Sequence, residues 1–309
     1  MSSDTALLEV EELGRDFGPR RAVTGVGLTV RRGEVLGLLG LNGAGKTTTL
    51  RMICGTLAPT HGSIRINGHD LLEKPSEARQ ALGYLPEIPP LTQDTTVREF
   101  LQFAAMLRRV PGGSQPEAIA RALDRCGLED VADRLIRHLS KGYQQRVGIA
   151  QAIVHEPALV VLDEPTVGLD PRQVVDIRGL IGSLRKAHAV IFSSHILPEV
   201  QALCDRVVIL HDGRQVYTGT PVDDETEVRF LLRFGNAPEV PALEVLPAVL
   251  SARRLDDERF ELVLRDERAG LDGVLSAALE NGWQLRELGR RRRTLEQVFL
   301  SLTAGEAAA

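Results

Sequence analysis

A chain of 309 residues, 43% hydrophobic and 26% charged, has material for one large core or two unequal ones. Its net charge of -5 excludes a nucleic-acid binder that relies on a basic surface, so nucleic acid is not an expected partner. Cys54, Cys126 and Cys204 lie far apart with no CxxC pair, which excludes a disulfide framework or a zinc site and fits buried thiols in a reducing compartment. The first residues, MSSDTALLEVEELGRDF, lack the basic start and long apolar core of a signal peptide. The longest apolar runs are about five residues, against about 20 for a membrane helix. The chain is therefore expected not to cross a membrane by itself.

Taken in chain order, strands are predicted over 7–13, 27–30 and 63–66. The run EVLGLL at 34–39 predicts a strand buried on both faces. It leads into a glycine-rich loop and then a helix over 46–54. Between about 96 and 155, apolar residues at three- and four-residue spacing predict helices over 97–108, 116–126 and 144–154. Strand character returns at 158–162, 190–193 and 206–210. The expectation is an α/β domain over 1–221, its sheet interrupted by a helical subdomain at about 88–155.

The acidic stretch VDDETE at 222–227 reads as a linker to an accessory α+β domain over 222–309. There a strand (228–234), a short helix near 241–246, a hairpin (249–255 with 259–264), a helix (271–281) and a strand (284–288) make a ferredoxin-like βαββαβ order. A final helix is predicted over 294–303, and the arginine run 290–293 reads as a solvated basic turn. No internal repeat is visible.

The loop from Gly40 to Thr48 (GLNGAGKTT) fits G-x-x-x-x-G-K-[ST] at Gly40, Gly45, Lys46 and Thr47, with Asn42, Gly43, Ala44 and Thr48 completing it. By accident the four fixed positions recur in roughly one chain per hundred of this size, but the strand before and helix after set this one apart. Glycine permits close approach of triphosphate oxygens, and the helix that follows aims free N–H groups at the anion. A nucleoside triphosphate and Mg2+ are the expected ligands, with Lys46 bridging the outer phosphates and Thr47 ligating the metal. The apolar strand at 158–162 runs into Asp163 and Glu164. An acidic pair alone is more often a solvated strand end. Beside a phosphate loop, Asp163 is suited to hold Mg2+ and Glu164 to act as general base on water.

These residues carry a family resemblance over about 7–220. LSKGYQQRVGIAQAI (139–153), then LVVLDEPTVGLDP (159–171), then SSH (193–195) resembles the nucleotide-binding domain of ABC transporters. The resemblance implies a P-loop NTPase core of the ABC ATPase type, ATP as the nucleotide, and a Mg-dependent, transport-coupled ATPase. Two copies, or this chain and a homologue, would pair head-to-tail. An integral membrane permease would be a separate subunit, with this chain cytoplasmic and peripheral on the inner face of the plasma membrane.

Residue by residue, Ser140 and Gly142 match the signature segment that clamps the γ-phosphate held by the facing subunit, although a plain helix cap by Ser140 reads equally well. Lys141 and Tyr143 replace the glycine and glutamine of the usual LSGGQ. His195 matches the switch histidine, and Gly168-Leu169-Asp170 a loop between the two sites. Phe17 stands at the adenine-stacking position. Glu87, in GYLPE, replaces the usual glutamine near the metal. GYLPE with LSKGY resembles an exporter-like branch that includes gliding-motility and multidrug-type systems. The competing readings are a non-transport ABC ATPase and a nucleotide-dependent regulatory binding module.

Overall fold

The structure, a computed structural model, describes residues 6–221, 228–291 and Phe299. Two compact units meet in sequence at Pro221 and Val222.

In the first unit the strands β1 (Leu8–Phe17), β2 (Arg20–Val30) and β3 (Val35–Leu39) precede α1 (Lys46–Ile53). Then come β4 (His61–Ile66), β5 (His69–Asp70), α2 (Pro75–Gln80), β6 (Leu82–Leu85), α3 (Val97–Leu107), α4 (Gln115–Cys126) and α5 (Lys141–Ile153). The unit continues with β7 (Leu159–Leu162), α6 (Pro171–Leu184), β8 (Ala189–Ser194), α7 (Leu197–Leu203), β9 (Arg206–His211) and β10 (Arg214–Gly219). These strands form one mixed sheet in the order β5-β4-β1-β2-β10-β9-β3-β8-β7-β6.

The sheet's parallel part positions the site. Every residue of β3, β7 and β8 is buried, as continuous apolar runs covered on both faces require. β3 and β7 both run parallel to β8, in registers that set Leu39 beside Ser194 and Leu162 beside Phe192. Parallel strands end on one edge. The residues following β3, β7 and β8, which are Gly40, Asp163 and His195, are therefore brought to the same edge from widely separated places in the sequence.

Six elements absent from the sequence-based expectation are β5, α2, β6, α6, α7 and β10. On β6, Gly83 lets the strand backbone lie against α5: a methyl group there would collide with the Ala152 carbonyl. Because the obstacle is backbone and has no rotamer to change, Gly83→Ala is expected to cost about 3 kcal/mol, or about 6–12 °C in thermal midpoint. A melting curve within about 2 °C of wild type would contradict the close approach. The predicted helix over 144–154 starts earlier, at Lys141, because Ser140 caps it, its side chain 3.5 Å from the Tyr143 amide.

The second unit contains β11 (Val228–Phe234), α8 (Val240–Glu244), β12 (Val249–Arg254), β13 (Arg259–Leu264), α9 (Glu267–Glu280) and β14 (Leu285–Arg291). Its sheet is antiparallel in the order β12-β13-β11-β14, the order of a ferredoxin-like βαββαβ unit. Phe230, Leu232 and Phe234 alternate on β11 to form the core with Phe260, Leu262 and Val274. Phe234 meets Phe260 and Trp283 edge-on, with ring centroids 5.7 and 6.0 Å apart. Arg290 and Arg291 extend β14, so the arginine run does not begin as a turn; Arg290 lies 3.8 Å from Glu267. The helix predicted over 294–303 lies, Phe299 apart, outside the described residues.

Candidate functional site

The loop after β3 turns through Gly43 and Gly45, whose φ angles of 84° and 100° only glycine adopts without strain. Gly45 precedes α1, and no side chain caps that helix start. Its first amide groups are thus free to meet an anion. Lys46, buried, folds back along the loop: Nζ donates to the carbonyls of Gly40 at 2.7 Å and Leu41 at 3.2 Å. The same ammonium pairs with Oε1 of Glu164 at 3.2 Å. Gly40 and Ala44 form the buried base of the loop.

Asp163 is fully buried at the end of β7. Its Oδ1 accepts from Ser193 Oγ at 2.7 Å and lies 3.4 Å from Thr47 Oγ1, while Oδ2 is buried with no hydrogen-bond partner. Burial drives its pKa up, opposed by the hydroxyls of Ser193 and Thr47 and reinforced by the charges of Glu164 and Glu87. A folded-state carboxyl that holds its proton more tightly than the unfolded chain loses stability as pH rises through its raised value. The charge carried at neutral pH is then a cost of folding. Asp163→Asn is accordingly expected to raise the thermal midpoint of the nucleotide-free chain by about 2–4 °C. An unchanged or lower midpoint at pH 7 would count against a strained carboxylate.

Glu164 follows at φ 47°, a left-handed conformation that turns its side chain back over the sheet edge. Ser193 Oγ accepts from the Glu164 amide at 2.8 Å, and so joins both acidic residues to β8. Oε2 of Glu164 lies 3.0 Å from Nδ1 of His195, the residue after β8. The carboxylate thus faces an ammonium on one side and an imidazole on the other.

These groups open into a cleft of about 750 Å3 lined by Phe17, Asn42, Gly43, Gly45, Lys46, Thr47, Thr48, Glu87, Glu164 and His195. Phe17 is half exposed, with the Arg15 guanidinium 4.8 Å from one face of its ring. An aromatic ring lining a cleft can stack on a flat ligand. Arg20, Arg21, Val167 and Asp212 also line the cleft and were missed from the sequence. The adjacent arginines just after Phe17 were the available signal. Ser140 and Gly142 are outside the lining. Gly142 abuts Gln173 of α6, and the Lys141 ammonium occupies the space a side chain on Gly168 would need.

The donor set of Asp163, Thr47 and Glu87 suits a hard cation that takes its remaining oxygens from phosphate and water, and the orphaned Oδ2 of Asp163 is a carboxylate oxygen lacking such a partner. Among the described residues no group of three or more His, Cys, Asp or Glu could hold a metal ion.

The sequence profile of the ABC transporter family matches residues 23–167. An uncharacterised ABC transporter ATP-binding protein of Bacillus subtilis, YxlF, is 34% identical over 96% of this chain and 99% of its own. The bacitracin transport ATP-binding protein BcrA of Bacillus licheniformis is 32% identical over 97% of this chain and 98% of its own. The chain belongs to the ABC transporter ATP-binding family. Its first unit is therefore of the ABC ATP-binding type, a family of ATPases in general. A solved ABC family structure, cbiO1 of Clostridium perfringens, is 31% identical over 71% of this chain and 90% of its own, with a TM-score of 0.65. No helix among the described residues is long and apolar enough to cross a membrane.

Proposed function

We propose that this ABC ATP-binding subunit hydrolyses ATP in a site shared between two subunits and uses the cycle to drive a membrane-spanning partner, in the direction of export. The observation that carries the proposal is the contact of Glu164 with both Lys46 and His195 at the mouth of the phosphate loop. Adenine stacks on Phe17, and the triphosphate follows the loop from Asn42 to Thr48. Lys46 leaves Glu164 for the outer phosphates, which frees the carboxylate to take a proton from the attacking water. His195, hydrogen-bonded to Glu164, orients that carboxylate and meets the terminal phosphate. Thr47, Asp163 and Glu87 would hold a Mg2+, which when bound would supply positive charge near the phosphate oxygens.

Ser140 and Gly142, outside this cleft, meet the nucleotide of the facing subunit, and the Gly168–Asp170 loop runs between the two sites. Ile88, 82% exposed beside Glu87, offers apolar surface to the membrane partner. A relative named for Nod factor export in Ralstonia nicotianae, 32% identical over 98% of this chain, supports the export direction. The test is phosphate release from ATP and Mg2+ by the purified chain, together with recovery of a multi-span membrane protein on affinity purification from its native membranes. Saturable nucleotide binding with no phosphate release would overturn the hydrolytic reading in favour of a regulatory module.

A further inference from the structure

Glu199 sits in the first turn of α7, 1% exposed, outside the cleft described above. Its carboxylate touches three separate segments of the catalytic edge. Oε2 accepts from Thr166 Oγ1 at 2.8 Å and from Ser194 Oγ at 3.0 Å, and both of those residues are themselves buried. Oε1 lies 3.3 Å from an Arg178 guanidinium nitrogen on α6, close enough for charge pairing but not aligned as a hydrogen bond. Thr166 comes two residues after Glu164, and Ser194 immediately before His195. Ser194 Oγ also accepts from the Ile196 amide at 2.9 Å, so it pins the turn on which His195 stands. α6 begins at Pro171, directly after the Gly168–Asp170 loop, and is capped by Asp170.

Burying a carboxylate costs several kcal/mol unless charge and hydrogen bonds offset it, and apolar residues often fill such a place at no loss of stability. A charge kept here has a role other than filling space. We infer that Glu199 is a positioning residue: it sets His195 against Glu164 and ties that pair, through Arg178, to the helix that carries the Gly168–Asp170 loop. The turn holding His195 and the segment following Glu164 hang from the same carboxylate oxygen. The 3.0 Å contact between imidazole and Glu164 is therefore adjusted by α7, not only by the strands. The catalytic consequence rests on the hydrolytic reading above, whereas the positional claim stands on the geometry alone.

The test is Glu199→Gln in the full chain. The amide oxygen still accepts from the hydroxyls, while its NH2 faces Arg178 and displaces it. The expected result is a kcat lower by roughly tenfold or more with KM for ATP within about twofold, because misplacement of a reacting group affects turnover rather than binding. In a His195→Ala background, Glu199→Gln adds no further loss, since residues acting as one unit are not additive. A fall in kcat that repeats in full in that background, or a matching loss of ATP affinity, overturns the inference.

Nitrogen-15 NMR of labelled histidine gives a readout independent of turnover. The chain has seven histidines, and the His195 signals are those lost in His195→Gln. Glu199→Gln moves these signals and leaves the other six in place; unmoved His195 signals overturn the inference even where the wild-type chain releases no phosphate. Should Glu199→Gln not fold, Ser194→Ala removes one of the two hydroxyl contacts and carries the same expectations.

Discussion

Replacing Glu164 by Gln lowers kcat by at least about a hundredfold while ATP still binds, the size of effect that loss of a positioned general base produces. The substitution keeps the shape of the side chain and its hydrogen bond with His195, now made through the amide. It removes the proton acceptor and the charge facing Lys46, whose ammonium lies 3.2 Å from Oε1. Since Lys46 must leave this carboxylate when phosphate arrives, ATP affinity in Glu164→Gln holds or improves. Phosphate release and equilibrium ATP binding, measured on one preparation, separate the two effects. Turnover within about tenfold of wild type would remove Glu164 from the role of base.

Lys46→Ala acts in the opposite order, on binding first. The ammonium is buried against the phosphate loop, turned inward by the Gly40 and Leu41 carbonyls. A charged hydrogen bond to phosphate contributes about 1.5–3 kcal/mol, so the dissociation constant for ATP rises about ten- to hundredfold. The nucleotide-free protein is weakened too. Glu164 is 7% exposed and loses its buried cation, an uncompensated charge that costs up to about 3 kcal/mol, or about 6–12 °C in thermal midpoint. His195 remains as a partner, and being 40% exposed it limits the loss. Isothermal titration and a melting curve check both parts; unchanged affinity with unchanged stability would contradict the pairing.

Much of this site was legible because parallel strands make distant motifs meet. A run as apolar as EVLGLL must be covered on both faces, and the strands that flank such a run end on the same side. Lys46, Asp163 and Glu164 could thus be placed together from their strand-end positions, and His195 joined them through the family resemblance. Their pairing could not, because the ion pair of Lys46 with Glu164 depends on side-chain packing across the sheet edge.

Some missed features did leave signals. Asp170 and Gln173 form a reciprocal cap, and Ile177, Leu180, Ile181 and Leu184 mark the buried face of α6 at helical spacing. β6, only four residues with a glycine inside, is too short for alternation to show. Glu199 had no signal at all, since a lone glutamate on a short helix is ordinarily a solvated one. In the second unit the order of elements was legible from alternation and the acidic hairpin turn, and the strand order agrees with a ferredoxin-like unit.

The most direct test of the shared site is sedimentation of Glu164→Gln at saturating ATP and Mg2+. The mass moves from that of one chain to that of two, falls back when ATP is withdrawn, and stays at one chain when Ser140→Arg is added to block the facing nucleotide. A single-chain mass with ATP bound would contradict a site completed by a second subunit.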